Sequence, residues 1–101
     1  MKYKLFLSDE ALWDIQDAFD YYTFIPSENL EHRFIQQIET GLDYITLYPE
    51  NLAVKYKKTR IYNLMDFPYQ IHFRIEKDTV LVFGIFHGKS NPKSWEERLK
   101  R

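Results

Sequence analysis

The sequence predicts an α+β domain with the order β-α-α-β-β-β, a helical hairpin packed on an antiparallel sheet of about four strands. Three observations predict it. Tyr69, Ile71, Phe73 and Ile75 alternate with Gln70, His72, Arg74 and Glu76, the period of a strand with one buried and one wet face. After a polar turn at Lys77-Asp78, Val80 to Phe86 is apolar at every position except Gly84, which suits an interior strand covered on both faces. Upstream, two segments carry apolar residues at helical rather than strand spacing.

In chain order, Lys2 to Leu7 reads as a short first strand. Ser8 then offers a helix N-cap, with Asp9 and Glu10 in the first turn where the helix dipole favours carboxylates. Ala11, Ile15, Ala18, Phe19 and Tyr22 form one apolar stripe, and Asp14, Asp17 and Asp20 lie off it, which predicts an acidic outer face. Pro26 cannot sit inside a helix, and Ser27 can cap the next one. The second helix places Leu30, Phe34, Ile38, Leu42 and Ile45 on one side and ends near Tyr48-Pro49. Gly41 lies on that apolar side and reads as a close-packing point. A strand from about Arg60 to Met65 leads through Asp66-Phe67-Pro68 into the central hairpin, and Pro92 to Arg101 forms a terminal helix or turn anchored by Trp95 and Leu99.

At 101 residues the chain reads as one domain, 1–101, able to bury roughly two-thirds of its extended surface without cross-links. It has no cysteine, which excludes disulfides and cysteine-ligated zinc and fits a reducing, cytoplasmic setting. The first ten residues lack the apolar core of a signal peptide, and no segment reaches membrane-spanning length, so no membrane partner is expected. The net charge of −1 hides a division: residues 1–53 hold three basic and ten acidic groups, residues 54–101 eleven basic and five acidic. An acidic helical half and a basic sheet half can face different partners, although ordinary solvated surface has the same look.

The candidate chemistry gathers around the sheet. If Phe73 and Ile75 face the helices, His72 and Arg74 face the other way, and Arg60, Arg74 and His87 with Lys57 or Lys58 supply what metal-free RNA cleavage needs. The cations stabilise charge on the phosphate, and the histidine moves a proton on or off the attacking or leaving oxygen. The structural alternatives are an Arg74 pairing with Glu76 or Asp78 and a His87 that is a hydrogen-bonded strand end. Lys55, Lys57, Lys58 and Arg60 form the densest basic group, suited either to phosphate or to blunting a sheet edge. Lys89 and Trp95, in the exit loop and tail, have the composition of a partner contact. The three histidines lack metal-ligand spacing and the three glycines form no phosphate loop, so no metal and no small-molecule cofactor is expected.

The segment FPYQIHFRIEKDTVLVFGIFHGKSNPKSW resembles the C-terminal half of the RelE/ParE superfamily of type II toxin-antitoxin toxins, also called plasmid-stabilisation proteins. AxxDIxxAFDYY and RFIxxIExGLDYIxxYPE are similar to the N-terminal half, and Arg60, Phe67-Pro68-Tyr69, Arg74 and His87 fall where the family's pattern places them. The resemblance implies a growth-inhibiting toxin neutralised by a cognate antitoxin. RelE-like members are mRNA interferases that cut message on the ribosome without metal, and ParE-like members poison DNA gyrase. The chain departs from the RelE pattern in lacking a tyrosine or second basic residue at the end of its last strand, where Gly88-Lys89-Ser90 stands; its strand-ending histidine is closer to the ParE-like subgroup. The resemblance thus implies a gyrase poison first and a ribosome-dependent endonuclease second, with Arg60, Arg74 and His87 catalytic only in the second case. A non-toxic protein-binding module is the reading from another class.

Overall fold

A computed structural model describes residues 2–100. The elements are β1 (Lys4–Leu7), α1 (Asp9–Thr23), α2 (Leu30–Leu47), a single helical turn at Pro49–Asn51, β2 (Val54–Tyr56), β3 (Thr59–Asn63), β4 (Tyr69–Glu76), β5 (Thr79–His87) and α3 (Pro92–Leu99). Ser8 caps α1 as its position predicts, accepting the Ala11 N–H at 3.1 Å. The second helix begins later than the Ser27 cap implies. Its N-cap is Asn29, held in the left-handed region at φ 57°, and Ser27 is used in the preceding turn, where its N–H reaches the Ile25 carbonyl at 2.7 Å.

The five strands are ordered β1-β5-β4-β3-β2. This corrects the expected antiparallel sheet of about four strands in two respects. β1 runs parallel to β5, Lys4 beside Thr79 through Leu7 beside Val82, and a three-residue β2 joins β3 at the far edge. Alternation within a strand specifies its two faces and not the direction of a distant neighbour, so the parallel pair left no local mark. The sheet is therefore mixed.

The helical hairpin covers one face. Phe34, Ile38 and Ile45 of α2 pack with Ala11, Ala18 and Tyr22 of α1 against Ile71, Phe73, Val80, Val82 and Ile85, all buried. Ile15 and Phe19, expected in the core, are half-buried at its rim. Tyr22, Phe34, Phe67 and Tyr69 interlock with ring centroids 5.1–6.3 Å apart and close the end of the hairpin onto the β3–β4 loop. Gly41 is the packing point the sequence predicts: a Cβ there would lie 2.8 Å from both Ile71 Cδ1 and Tyr62 Cε1.

Candidate functional site

The second face of the sheet is not an open basic surface. Gln70, His72 and Arg74 of β4 do point there, opposite Phe86, Gly84 and Leu81 of β5, as the pairing of the strands requires. α3 lies across it. Trp95 packs its ring 4.7 Å from His72, 5.6 Å from Tyr56 and 6.1 Å from Phe86, and donates its indole N–H to Ser90 Oγ at 2.8 Å. One turn on, the Arg98 guanidinium sits 4.5 Å above the Phe86 ring and reaches Asp14 of α1 at 2.5 Å. Trp95, expected as a partner anchor, is thus turned inward as the peg that seats α3.

His72 is fully buried beneath this helix. Tyr56 Oη lies 2.7 Å from its Nδ1 and Gln70 Oε1 lies 3.3 Å from its Nε2, while the Gln70 amide donates to Asn63 Oδ1 at 3.0 Å. One tautomer satisfies the whole chain of bonds: a neutral ring with its hydrogen on Nε2, accepting from the tyrosine and donating to the glutamine. Burial first, and then the Arg98 charge, lower its pKa from the usual 6.5 to about 4. Burial likewise raises the Tyr56 hydroxyl to about 12. Near neutral pH both groups are uncharged and hydrogen-bonded to one another, so the cluster fixes the geometry of this face.

Asp14, expected on the acidic outer face of α1, instead bridges three elements. Between His72 and Phe73 the β4–β5 register shifts by one residue, leaving Phe83 without a partner on β4. Just beyond it, the Ile85 N–H is received by Asp14 Oδ2 at 2.9 Å, the oxygen that also holds Arg98. Gly84 makes the close approach possible, since a Cβ there would lie 2.3 Å from Phe86 Cε2 and 3.0 Å from an Arg98 nitrogen.

The other sequence-predicted residues are dispersed. Arg60 stands opposite Phe73 and so points to the helical-hairpin side, where its guanidinium donates to the Leu52 carbonyl at 2.6 Å and the Glu50 carbonyl at 3.4 Å. Arg74 points to the α3 side and pairs with Glu76 at 3.2 Å. His87 stands opposite Tyr69, its ring edge-to-face with that tyrosine at 5.3 Å and its Nδ1 accepting the Lys89 N–H at 3.0 Å. Arg74 pairs with Leu81, so it lies five strand positions from Tyr69 and His87, roughly 16 Å at about 3.3 Å per residue. The three are not brought together on one face. Lys55, Lys57, Lys58 and Lys89 are exposed, and Lys57 lies 3.9 Å from Glu96 of α3. Among the described residues no group of three or more His, Asp or Glu could hold a metal ion, and no helix is long and apolar enough to cross a membrane.

The exposed apolar residues have a pattern of their own. Trp13, Tyr21 and Phe24 are 65%, 59% and 86% exposed; Trp13 shares with Asp17 and Asp20 the side of α1 opposite its buried stripe, Tyr21 flanks it, and Phe24 is the C-cap. An aromatic and acidic strip of this kind on a helix suits a partner that brings apolar and basic groups.

Residues 5–92 match the family model described as the ParE toxin of type II toxin-antitoxin system, parDE. Among curated proteins, none matches the chain. A solved structure titled "Chromosomal ParDE TA system from P. aeruginosa" superposes with a TM-score of 0.75 over 85% of this chain and 96% of that one, at 16% identity, a likeness of fold. With the family model covering the helical hairpin and the sheet from Leu5 onward, the chain belongs to the ParE toxins of type II toxin-antitoxin systems.

Proposed function

We propose that this toxin inhibits bacterial growth by poisoning DNA gyrase and is held silent by a protein antitoxin. The observation that carries the target is the dispersal of Arg60, Arg74 and His87. Metal-free cleavage of RNA needs a cation at the phosphate and a titrating group within hydrogen-bond reach of the same sugar-phosphate unit. Here Arg74 is on one side of the sheet, the other two are on the opposite side, and the face that would be the cleft is filled by α3. Each group also has a local structural task, which favours the gyrase reading over an mRNA interferase. The antitoxin reading draws support from the family and from the Trp13, Asp17, Asp20, Tyr21 and Phe24 strip, which suits a helical or extended segment with apolar and basic residues.

The test incubates purified protein with gyrase and supercoiled DNA and, separately, with translating ribosomes. Trapped gyrase–DNA breaks with intact message are expected. Cleaved message that disappears in Arg74→Ala and His87→Ala, with gyrase unaffected, would overturn the assignment in favour of the endonuclease. Inducing the gene with and without its neighbouring reading frame tests the toxin reading: no growth defect in either case would leave a binding module.

A further inference from the structure

Four described residues other than glycine have positive φ, and three of them are lysines at hairpin tips. Lys57 and Lys58, at φ 38° and 63°, form the two-residue turn between β2 and β3; Lys77, at φ 56°, opens the turn between β4 and β5. The register places both tips at the same end of the sheet, and Lys58 and Lys77 line one open cavity of about 610 Å³ with Arg74, Ile75 and Glu76.

A turn with positive φ at both central positions favours Asn-Gly, because a side chain with a Cβ is strained in the left-handed region by about 1–2 kcal/mol per residue. The chain holds lysine at three positions where glycine or asparagine fits the backbone better, and strain kept in this way points to use. Part of the charge is also unspent. Glu76 is paired with Arg74, Asp78 with Lys4 at 3.5 Å and Glu96 with Lys57, whereas Lys58 and Lys77 are in no ion pair among the described residues.

We propose that this end of the sheet is a contact site for the phosphodiester backbone of nucleic acid, with Lys58 and Lys77 as its unpaired cations and Lys57 and Arg74, each beside a carboxylate, at its margin. Nucleic acid is favoured over an acidic protein by what the site lacks. Protein interfaces are built on aromatic and aliphatic anchors and are poor in lysine, whereas phosphate contacts need cations and little else. The only apolar residue in this lining is Ile75, and none of the exposed aromatics Phe6, Trp13, Tyr21, Phe24 and Tyr48 lines it. The acidic strip on α1 repels the same ligand, so a near-neutral molecule still presents one pole to a polyanion. The site holds whether or not gyrase is the target.

The test measures anisotropy of a labelled 20-base-pair DNA duplex and of a 2′-O-methyl RNA single strand with the full chain over a salt series. It compares the parent with Lys57→Asn, Lys58→Gly, Lys77→Gly. These substitutions suit the turns, so the variant is expected to melt at or above the parent temperature while binding at least tenfold more weakly at low salt. Its slope of log K against log salt should be shallower by about 2 to 3, at roughly 0.9 per lost duplex phosphate contact. The pair Lys58→Gln and Lys77→Gln, which keeps the strained backbone and removes the charge, should lose most of the same affinity. Binding to either polymer with this dependence supports the site. Unchanged affinity and slope in both variants, no binding to either polymer at 25 mM salt, or displacement by poly-glutamate as efficient as by DNA would overturn it.

Discussion

The neutral, buried His72 makes stability depend on acid in a narrow window. Its pKa is about 4 in the folded chain against 6.5 for a free imidazole, so below pH 6.5 the unfolded chain binds a proton that the folded chain refuses. A group whose folded pKa is depressed contributes stability that is present above the unfolded value and lost as pH falls toward the folded one; here the window runs from about 6.5 down to about 4. Linkage puts the loss between pH 7 and pH 5 at about 2 kcal/mol for this residue alone, a large share of the roughly 5–15 kcal/mol a domain of this size possesses. The assay is urea unfolding at both pH values, for the parent and for His72→Gln, whose amide can accept from Tyr56 and donate to Gln70 without titrating. Every other residue is common to both proteins and its contribution cancels in the difference. The parent should lose about 2 kcal/mol more than the variant; equal losses would refute a neutral His72 in the folded state.

Replacing Phe73, fully buried in the middle of β4, by Ala should cost about 3–5 kcal/mol in denaturant unfolding, enough to leave the domain marginal at 37 °C; a loss under about 1 kcal/mol would refute its place in the core. Arg98→Ala should cost about 1–3 kcal/mol by leaving half-buried Asp14 with only the Ile85 N–H. In a Trp13→Phe background it should also shift Trp95 emission to the red as α3 loosens, and an unchanged spectrum would show that Trp95 seats the helix unaided.

The central hairpin and both long helices were legible because each buries one face and so repeats at its own period: Tyr69 to Ile75 at two, and Leu30 to Ile45 at three and four. The placing of Arg60, Arg74 and His87 was not legible in the same way. Alternation puts Arg74 on the second face, but the side taken by Arg60 depends on a register that starts at the Lys57-Lys58 turn, and a sequence rich in lysine with no glycine gives no sign of a tight hairpin there. Asp14 was read as solvated because it lies off the stripe of α1. Its signal was in another element, Gly84, since a lone glycine inside an apolar strand marks a bulge or a close approach, and a displaced backbone N–H needs an acceptor. His72 was read as wet from its own strand, although the continuous apolar run of β5 already required a cover on both faces.

That requirement has one candidate to meet it. Among the described residues Pro92–Leu99 is the only element that follows β5, and eight residues are too few to stay helical in water unaided. None of its own residues is buried, so its order rests on what Trp95 and Arg98 find on the sheet: an aromatic nest around a histidine, and a carboxylate already fixed by a bulge. Removing α3 would return water to His72 and relieve the burial that keeps its pKa low, so acid weakens the seating of α3 by the same proton linkage that lowers global stability. The cover of the second face and the neutrality of the histidine are therefore coupled. Two exposed surfaces flank that cover, the acidic strip of α1 and the basic hairpin tips, the second touching α3 through Lys57 and Glu96.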